Sequence, residues 1–378
     1  MTFLLYGYQF NIFEIPLLVY LISYFTIELP FVNNKIIIED KKYLNLFFMS
    51  FILLFISKII TFWPAINKTL VISDFFKWIE IFLFVILVFN FKNFKHIYWI
   101  LFLINIFPVL ISIYSSILNH NIFSGYRVLA GYSSIFSLSF LIPFYKKNRF
   151  VSVICILLMI TTILSITRGA WLALIIVLGY YILINLRDNR KHIFKIIGIV
   201  VIVILVLMNI PTVQNNIYRK ALDPFSLQSK SNWERSGMLF LSLNIFSKNP
   251  IIGIGSGNFG EYAIRNPHLY KGKYLEISTN MAPHVFFLQL LVENGIIGLI
   301  SFLMIFLILY KILFNKNLYL IYNDYKSYIL GLRMLFLSLI IYLVFGFVAG
   351  SSRLILGLFM GLCLSILKKE SIIRNVEK

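Results

Sequence analysis

The chain is a succession of apolar runs, each close to twenty residues long, with a single long interruption between residue 211 and residue 295. A membrane-crossing helix needs about 20 mainly apolar residues. Candidate spans fall at 12–30, 43–62, 72–90, 97–118, 128–145, 150–167, 169–186, 193–210, 296–314, 328–349 and 353–368, about eleven in all, with ten to twelve as the range. The runs are continuous rather than alternating, which excludes a membrane β-barrel. In hydrocarbon every backbone group must be satisfied internally, so the expected fold is all-α, a polytopic transmembrane helical bundle. At 60% hydrophobic residues the chain exceeds the range of soluble domains, about 45–50% apolar.

The formal charge of +19 is carried mainly between the apolar runs. That placement reads as a topology signal, and no nucleic-acid partner is expected. One set of connections carries clusters such as Lys35, Lys41 and Lys42, or Arg187, Arg190, Lys191 and Lys195. The alternate set carries one basic residue each: Lys68, Arg127, Arg168 and Arg353. Basic loops stay in the cytoplasm, which places the N-terminus and the long interruption outside and the C-terminus inside. The first apolar run has no basic start and no small-residue cleavage site, so a retained span is expected there. The expected organisation is a bundle of about eight spans over 1–210, a large external loop with short helices over 211–295, and the remaining spans with a cytoplasmic tail over 296–378. Cys155 and Cys363 both lie in apolar runs and suggest neither a disulfide nor a metal site.

The candidate chemistry lies on the external face. Arg168, in SITRGAWLAL, occupies a nearly absent turn between two spans, followed by Gly169 and Ala170. An arginine at a span edge either snorkels to the headgroups or presents its planar fork to a phosphate. Arg235 follows Ser231, Asn232, Trp233 and Glu234 in what reads as the first turns of an amphipathic helix. Between 211 and 283 eight basic residues face four acidic ones, which suits an anionic ligand or simply a solvated loop. NPIIGIGSGNFG has glycines at 253, 255 and 257. No βαβ unit surrounds it, so a nucleotide loop is rejected. A tight surface loop offering backbone N–H groups to an anion is expected instead. In APHVFFLQLLVENGIIG, Pro283 suits a helix start and Asn294-Gly295 a helix stop. His284 is therefore expected at the N-terminal end of a short interfacial helix, where it could take a proton or bind phosphate. The external loops hold no Asp-x-Asp or Glu-x-Asp pair and no cluster with metal-ligand spacing, so no metal and no cofactor is expected.

TRGAWLAL, NPIIGIGSGNFG and HVFFLQLLVENGIIGLI, in that order and flanking one large external loop, resemble the three motifs of the O-antigen ligase and O-antigen polymerase superfamily of polytopic bacterial glycosyltransferases. The resemblance implies about twelve spans and inverting transfer from an undecaprenyl-pyrophosphate-linked saccharide, at the outer face of the cytoplasmic membrane. It makes Arg168, Arg235 and His284 the catalytic candidates. Arg127, Arg353, Trp233, Asn258 and Gln289 are the substrate-binding candidates. The family commonly has Asn after its histidine, where this chain has Val285. The implied acceptor is a growing glycan, for a polymerase of O-antigen, capsule or exopolysaccharide repeats. For a ligase it is lipid A core or protein. A chain-length regulator is a further implied partner. A lipid-linked saccharide flippase is the reading from another class. It would show internal repeats and charged or broken helices at mid-membrane, and the sequence shows no repeat.

Overall fold

A computed structural model describes residues 2–5, 8–11, 38–90, 127–145, 149–165, 167–185, 198, 230–270, 282–283, 285–315, 326–346 and 351–376. Its elements in chain order are a short antiparallel hairpin, β1 (Thr2–Leu5) and β2 (Tyr8–Asn11), and the helices α1 (Ile38–Ile60), α2 (Lys68–Asn90), α3 (Arg127–Leu141), α4 (Arg149–Leu164), α5 (Arg168–Asn185), α6 (Lys230–Lys248), α7 (Phe259–Arg265), α8 (Phe286–Leu313), α9 (Lys326–Phe345) and α10 (Ser351–Val376). The architecture is helical apart from that hairpin, which the apolar-run reading did not anticipate.

Four of these helices are long and apolar enough to cross a membrane: Lys41–Ile60, Arg168–Asn185, Phe286–Leu313 and Lys326–Phe345. Three shorter apolar stretches accompany them at Ala130–Phe144, Arg149–Leu164 and Arg353–Leu367. The expected spans at 12–30 and 97–118, and all but residue 198 of 193–210, lie outside the described residues. The expected span at 72–90 is the helix α2, which carries Asp74, Lys77 and Glu80 in its first half.

The chain divides into two compact units. One comprises Met1–Phe91, Leu227–Leu318 and Phe347–Lys378; the other comprises Lys92–Ser226 and Tyr319–Gly346.

In the first unit α1 packs along α8, and α2 packs along α10. The seams are made where small residues let backbones approach. A Cβ on Gly298 of α8 would lie 3.3 Å from the Ser57 hydroxyl of α1. One on Gly361 of α10 would lie 2.6 Å from Cβ of Val88 on α2. Aromatic rings fill the middle: Trp78 meets Phe302 edge to face at 5.9 Å between centroids, and Phe286 meets Phe302 at 4.9 Å. A smaller core covers the end of this unit. There Met238, Leu241 and Ile245 of α6 bury against Ile254, Phe259, Ala263, Leu269 and Val292.

In the second unit α3 packs on α4 and α9, and α9 packs on α5. Here too small residues set the spacing. A Cβ on Gly131 would collide with the Ser165 side chain and stand 3.4 Å from that of Ala170. Tyr132, Phe136 and Tyr342 form a ring cluster beside this seam, with Tyr132 and Tyr342 centroids 4.6 Å apart.

Candidate functional site

The break expected at Asn294-Gly295 is present. Within α8, Gly295 adopts φ 63° and ψ −167°, so that a short helix, Phe286 to Asn294, meets a longer apolar one starting at Ile296. The short helix begins at Phe286 with Val285 as its N-cap, so Pro283 precedes it rather than entering its first turn. His284 lies outside the described residues.

A broken helix strands backbone groups, and in an apolar setting each must find another partner. The glycine-rich loop supplies them. The N–H of Ile254 donates to the Val292 carbonyl at 3.1 Å, and that of Gly255 to the Glu293 carbonyl at 3.0 Å. In return the N–H of Ile296 donates to the Pro250 carbonyl at 2.9 Å. The glycines are required by this approach. Gly253, Gly255 and Gly257 have φ of 84°, 101° and 74°, and a Cβ on Gly253 would sit 2.5 Å from the Glu293 carbonyl. A Cβ on Gly295 would strike the Ile251 carbonyl. The sequence leads one to expect a tight surface loop here, able to offer backbone N–H groups to an anion. Residues 253–256 and 258–260 are instead buried, and the N–H groups of Ile254 and Gly255 are used by the broken helix.

Behind the loop lies a buried polar cluster that the sequence reading did not single out. Lys58, near the end of α1, is 1% exposed and donates from Nζ to Asp74 Oδ2 of α2 at 2.6 Å. The same ammonium reaches the Ser256 hydroxyl at 3.4 Å and the Asn294 Oδ1 at 3.5 Å, and stands 5.2 Å over the Trp78 ring. Asn294 Nδ2 in turn donates to Ser256 Oγ at 2.8 Å. Glu293 is also buried. Its Oε2 accepts from Gln289 Nε2 at 3.1 Å, one helical turn earlier. A charge buried this deeply is tolerated only with partners. The signal that could have revealed the pair was a lysine and an aspartate each set inside an apolar run, FISKII and VISDFF.

The remaining site candidates fall as follows. Asn258 is fully buried. Its Oδ1 accepts the Asn67 N–H at 2.7 Å, and its Nδ2 donates to the Asn67 carbonyl at 3.1 Å, stitching the glycine loop to the α1–α2 connection. Arg353, at the start of α10, is 6% exposed and pairs through Nη1 with Glu80 Oε2 at 3.3 Å. Gln289 is half-buried one turn into the short helix and is held by Glu293. Arg235 is exposed in the second turn of α6; the Trp233 side chain lies outside the described ones. These residues belong to the first unit. In the second unit Arg168 is the first residue of α5 and half-exposed, and the Arg127 backbone opens α3, its side chain being outside those described. Gly169 is glycine because the Tyr132 hydroxyl occupies the space its Cβ would need.

Apolar helices of spanning length, one of them broken over buried charge, define a helical membrane protein. Residues 151–303 match the family model described as O-antigen ligase, a segment that contains Arg168, Arg235, the glycine loop and the broken helix, and this supports the O-antigen ligase/polymerase superfamily. A Haemophilus influenzae protein described as uncharacterized is 28% identical over 189 residues, 47% of this chain and 47% of its own length. The chain thus spans about half the length of the curated relative it matches.

Proposed function

We propose that the protein is a membrane glycosyltransferase. It joins saccharide repeat units carried on undecaprenyl pyrophosphate, at the outer face of the bacterial cytoplasmic membrane, without a metal. The observation that carries this reading is the family match over 151–303, within which one motif arginine opens a span (Arg168) and the other lies in the second turn of a loop helix (Arg235). In the proposed reaction an acceptor hydroxyl attacks the anomeric carbon, and the lipid diphosphate leaves with the bonding pair. Arg168 and Arg235 stabilise the growing negative charge on that leaving group. His284 either takes the acceptor proton or holds a phosphate oxygen. The broken helix serves this chemistry as a support: the glycine loop and the Lys58–Asp74 pair fix the angle of the segment that follows His284. Transfer of finished glycan to a lipid A core is the second reading, favoured by the description of the matched family.

Purified protein in nanodiscs, given a lipid-pyrophosphate saccharide donor with EDTA present, is the test. Transfer in EDTA is expected. Arg168→Lys should retain folded protein yet lower turnover by about 10²–10³-fold, the range seen when a transition-state donor is lost, since lysine keeps the charge but not the fork. His284→Ala should lower turnover with donor affinity nearly kept if it is the base, and should weaken donor binding if it holds phosphate. Full activity of Arg168→Lys, or activity abolished by EDTA and restored by Mg²⁺, would remove this mechanism. The chain-length distribution with lipid-linked repeats against a lipid A core acceptor separates polymerase from ligase.

A further inference from the structure

Along the apolar half of α8, the large side chains left exposed are Ile296, Ile300, Leu303, Leu307 and Tyr310, at spacings that make one helical stripe. On a helix long and apolar enough to cross a membrane, an exposed apolar stripe is suited to lipid. At its upper end the Ile296 N–H is bonded to the Pro250 carbonyl, so the next two loop residues, Ile251 and Ile252, lie beside it. Both are exposed, Ile251 by 61%. Two exposed isoleucines thus extend the exposed apolar stripe past the break.

Three residues before Ile251, α6 ends at Lys248. This helix is apolar on two sides. Met238, Leu241 and Ile245 face the small core, while Leu239, Phe240 and Leu243 are exposed. The exposed apolar group is bracketed by polar exposed residues: Arg235 and Ser236 ahead of it, Ser247 and Lys248 behind it. Large apolar side chains flanked by cations are the pattern of a helix lying in a membrane interface, where the stems bury and the charged heads stay among phosphates.

We propose that α6 lies in the bilayer interface, with Leu239, Phe240 and Leu243 against lipid acyl chains at the depth marked by Ile251 and Ile252. Continuity with the stripe of α8 chooses lipid over another protein surface as the occupant. Arg235, one turn before Leu239, is thereby held at headgroup depth, where a lipid pyrophosphate would sit. The inference rests on α8 as a span and not on the reaction, so its failure would leave the glycosyltransferase reading standing.

Spin labels on single cysteines in the full-length protein, reconstituted in vesicles, test it. Cys155 and Cys363 are buried and react little. Labels at Phe240→Cys, Leu243→Cys and Ile252→Cys should be relaxed by dissolved oxygen in preference to a water-soluble nickel complex, as should Leu303→Cys on the span itself. A label at Ser247→Cys should show the reverse preference. All these positions are exposed, so the variants should fold. A nickel preference at 240 and 243 matching that at 247 would overturn the proposal by placing the helix in water. Protection of 240 and 243 from both reagents would overturn it by showing that protein, either another segment or a second copy, covers the face.

Discussion

Two places in the molecule carry motif residues, and they are built on opposite terms. At the glycine loop of the first unit, polar groups are spent on one another: Ile254 and Gly255 on the broken helix, Asn258 on Asn67, Lys58 on Asp74. At the head of α5 in the second unit, packing is apolar and aromatic, and Arg168 stands half-exposed above Gly169 and Tyr132. The first region is a joint, whose chemistry is directed inward. The second is a mount, where close packing at Gly169 seats the start of α5, the turn that carries Arg168.

The largest effect that bears on this contrast should come from the joint's glycines. Gly295→Ala and Gly253→Ala each force a side chain onto a positive-φ backbone, at about 1–3 kcal/mol, and in addition into backbone atoms that cannot retreat. We expect loss of most folded protein in detergent, read by size-exclusion chromatography. Gly179→Ala, in the middle of α5 with no atom within 4 Å of the new Cβ, is the control and should fold normally. Wild-type yield of Gly295→Ala would dissolve the idea of a joint.

Next comes the buried pair. Lys58→Met leaves Asp74 without its ammonium and should destabilise by about 3–5 kcal/mol, the range for breaking a buried ion pair from one side. Adding Asp74→Leu should recover most of that loss, measured as the midpoint of thermal unfolding. If the double variant is as unstable as the single one, the pair is not the unit that matters.

The smallest effect belongs to the mount. Gly169→Ala crowds the Tyr132 hydroxyl and should cost about 1–3 kcal/mol, as overpacking does. Tyr132→Phe removes the atom in the way and should return part of it. Additive losses in the pair of substitutions would break the proposed seating of α5.

Much of this was legible in the sequence, because periodicity and composition are local. The apolar runs forecast α1, α2, α3, α4, α5 and α9 to within about five residues at each end, whereas α10 continues to Val376, well past the expected 368, and Asn294-Gly295 announced the break in α8. Glycines 253, 255 and 257 announced a special backbone. What those glycines serve was not legible, since the carbonyls of Val292 and Glu293 come from some forty residues away. The same holds for Lys58 and Asp74. Each reads as a charge tolerated within an apolar run, and only the tertiary arrangement brings them to 2.6 Å. The buried state of Asn258, and the pairing of Arg353 with Glu80, likewise depend on helices that the sequence gives no means to pair.

The reciprocal bonds between Pro250–Gly255 and Val292–Ile296 have a consequence for cooperativity. A bent α8 without the loop would leave carbonyls bare in an apolar setting, at several kcal/mol each. A docked loop without the bend would lose its acceptors. Neither half is a stable intermediate, so loop and bend open and close as one event. Amide hydrogen exchange should then show the N–H groups of Ile254, Gly255 and Ile296 sharing a single opening free energy, although they are separated by forty residues of chain. Distinct opening energies on the two sides would mean that the helix can hold its bend alone.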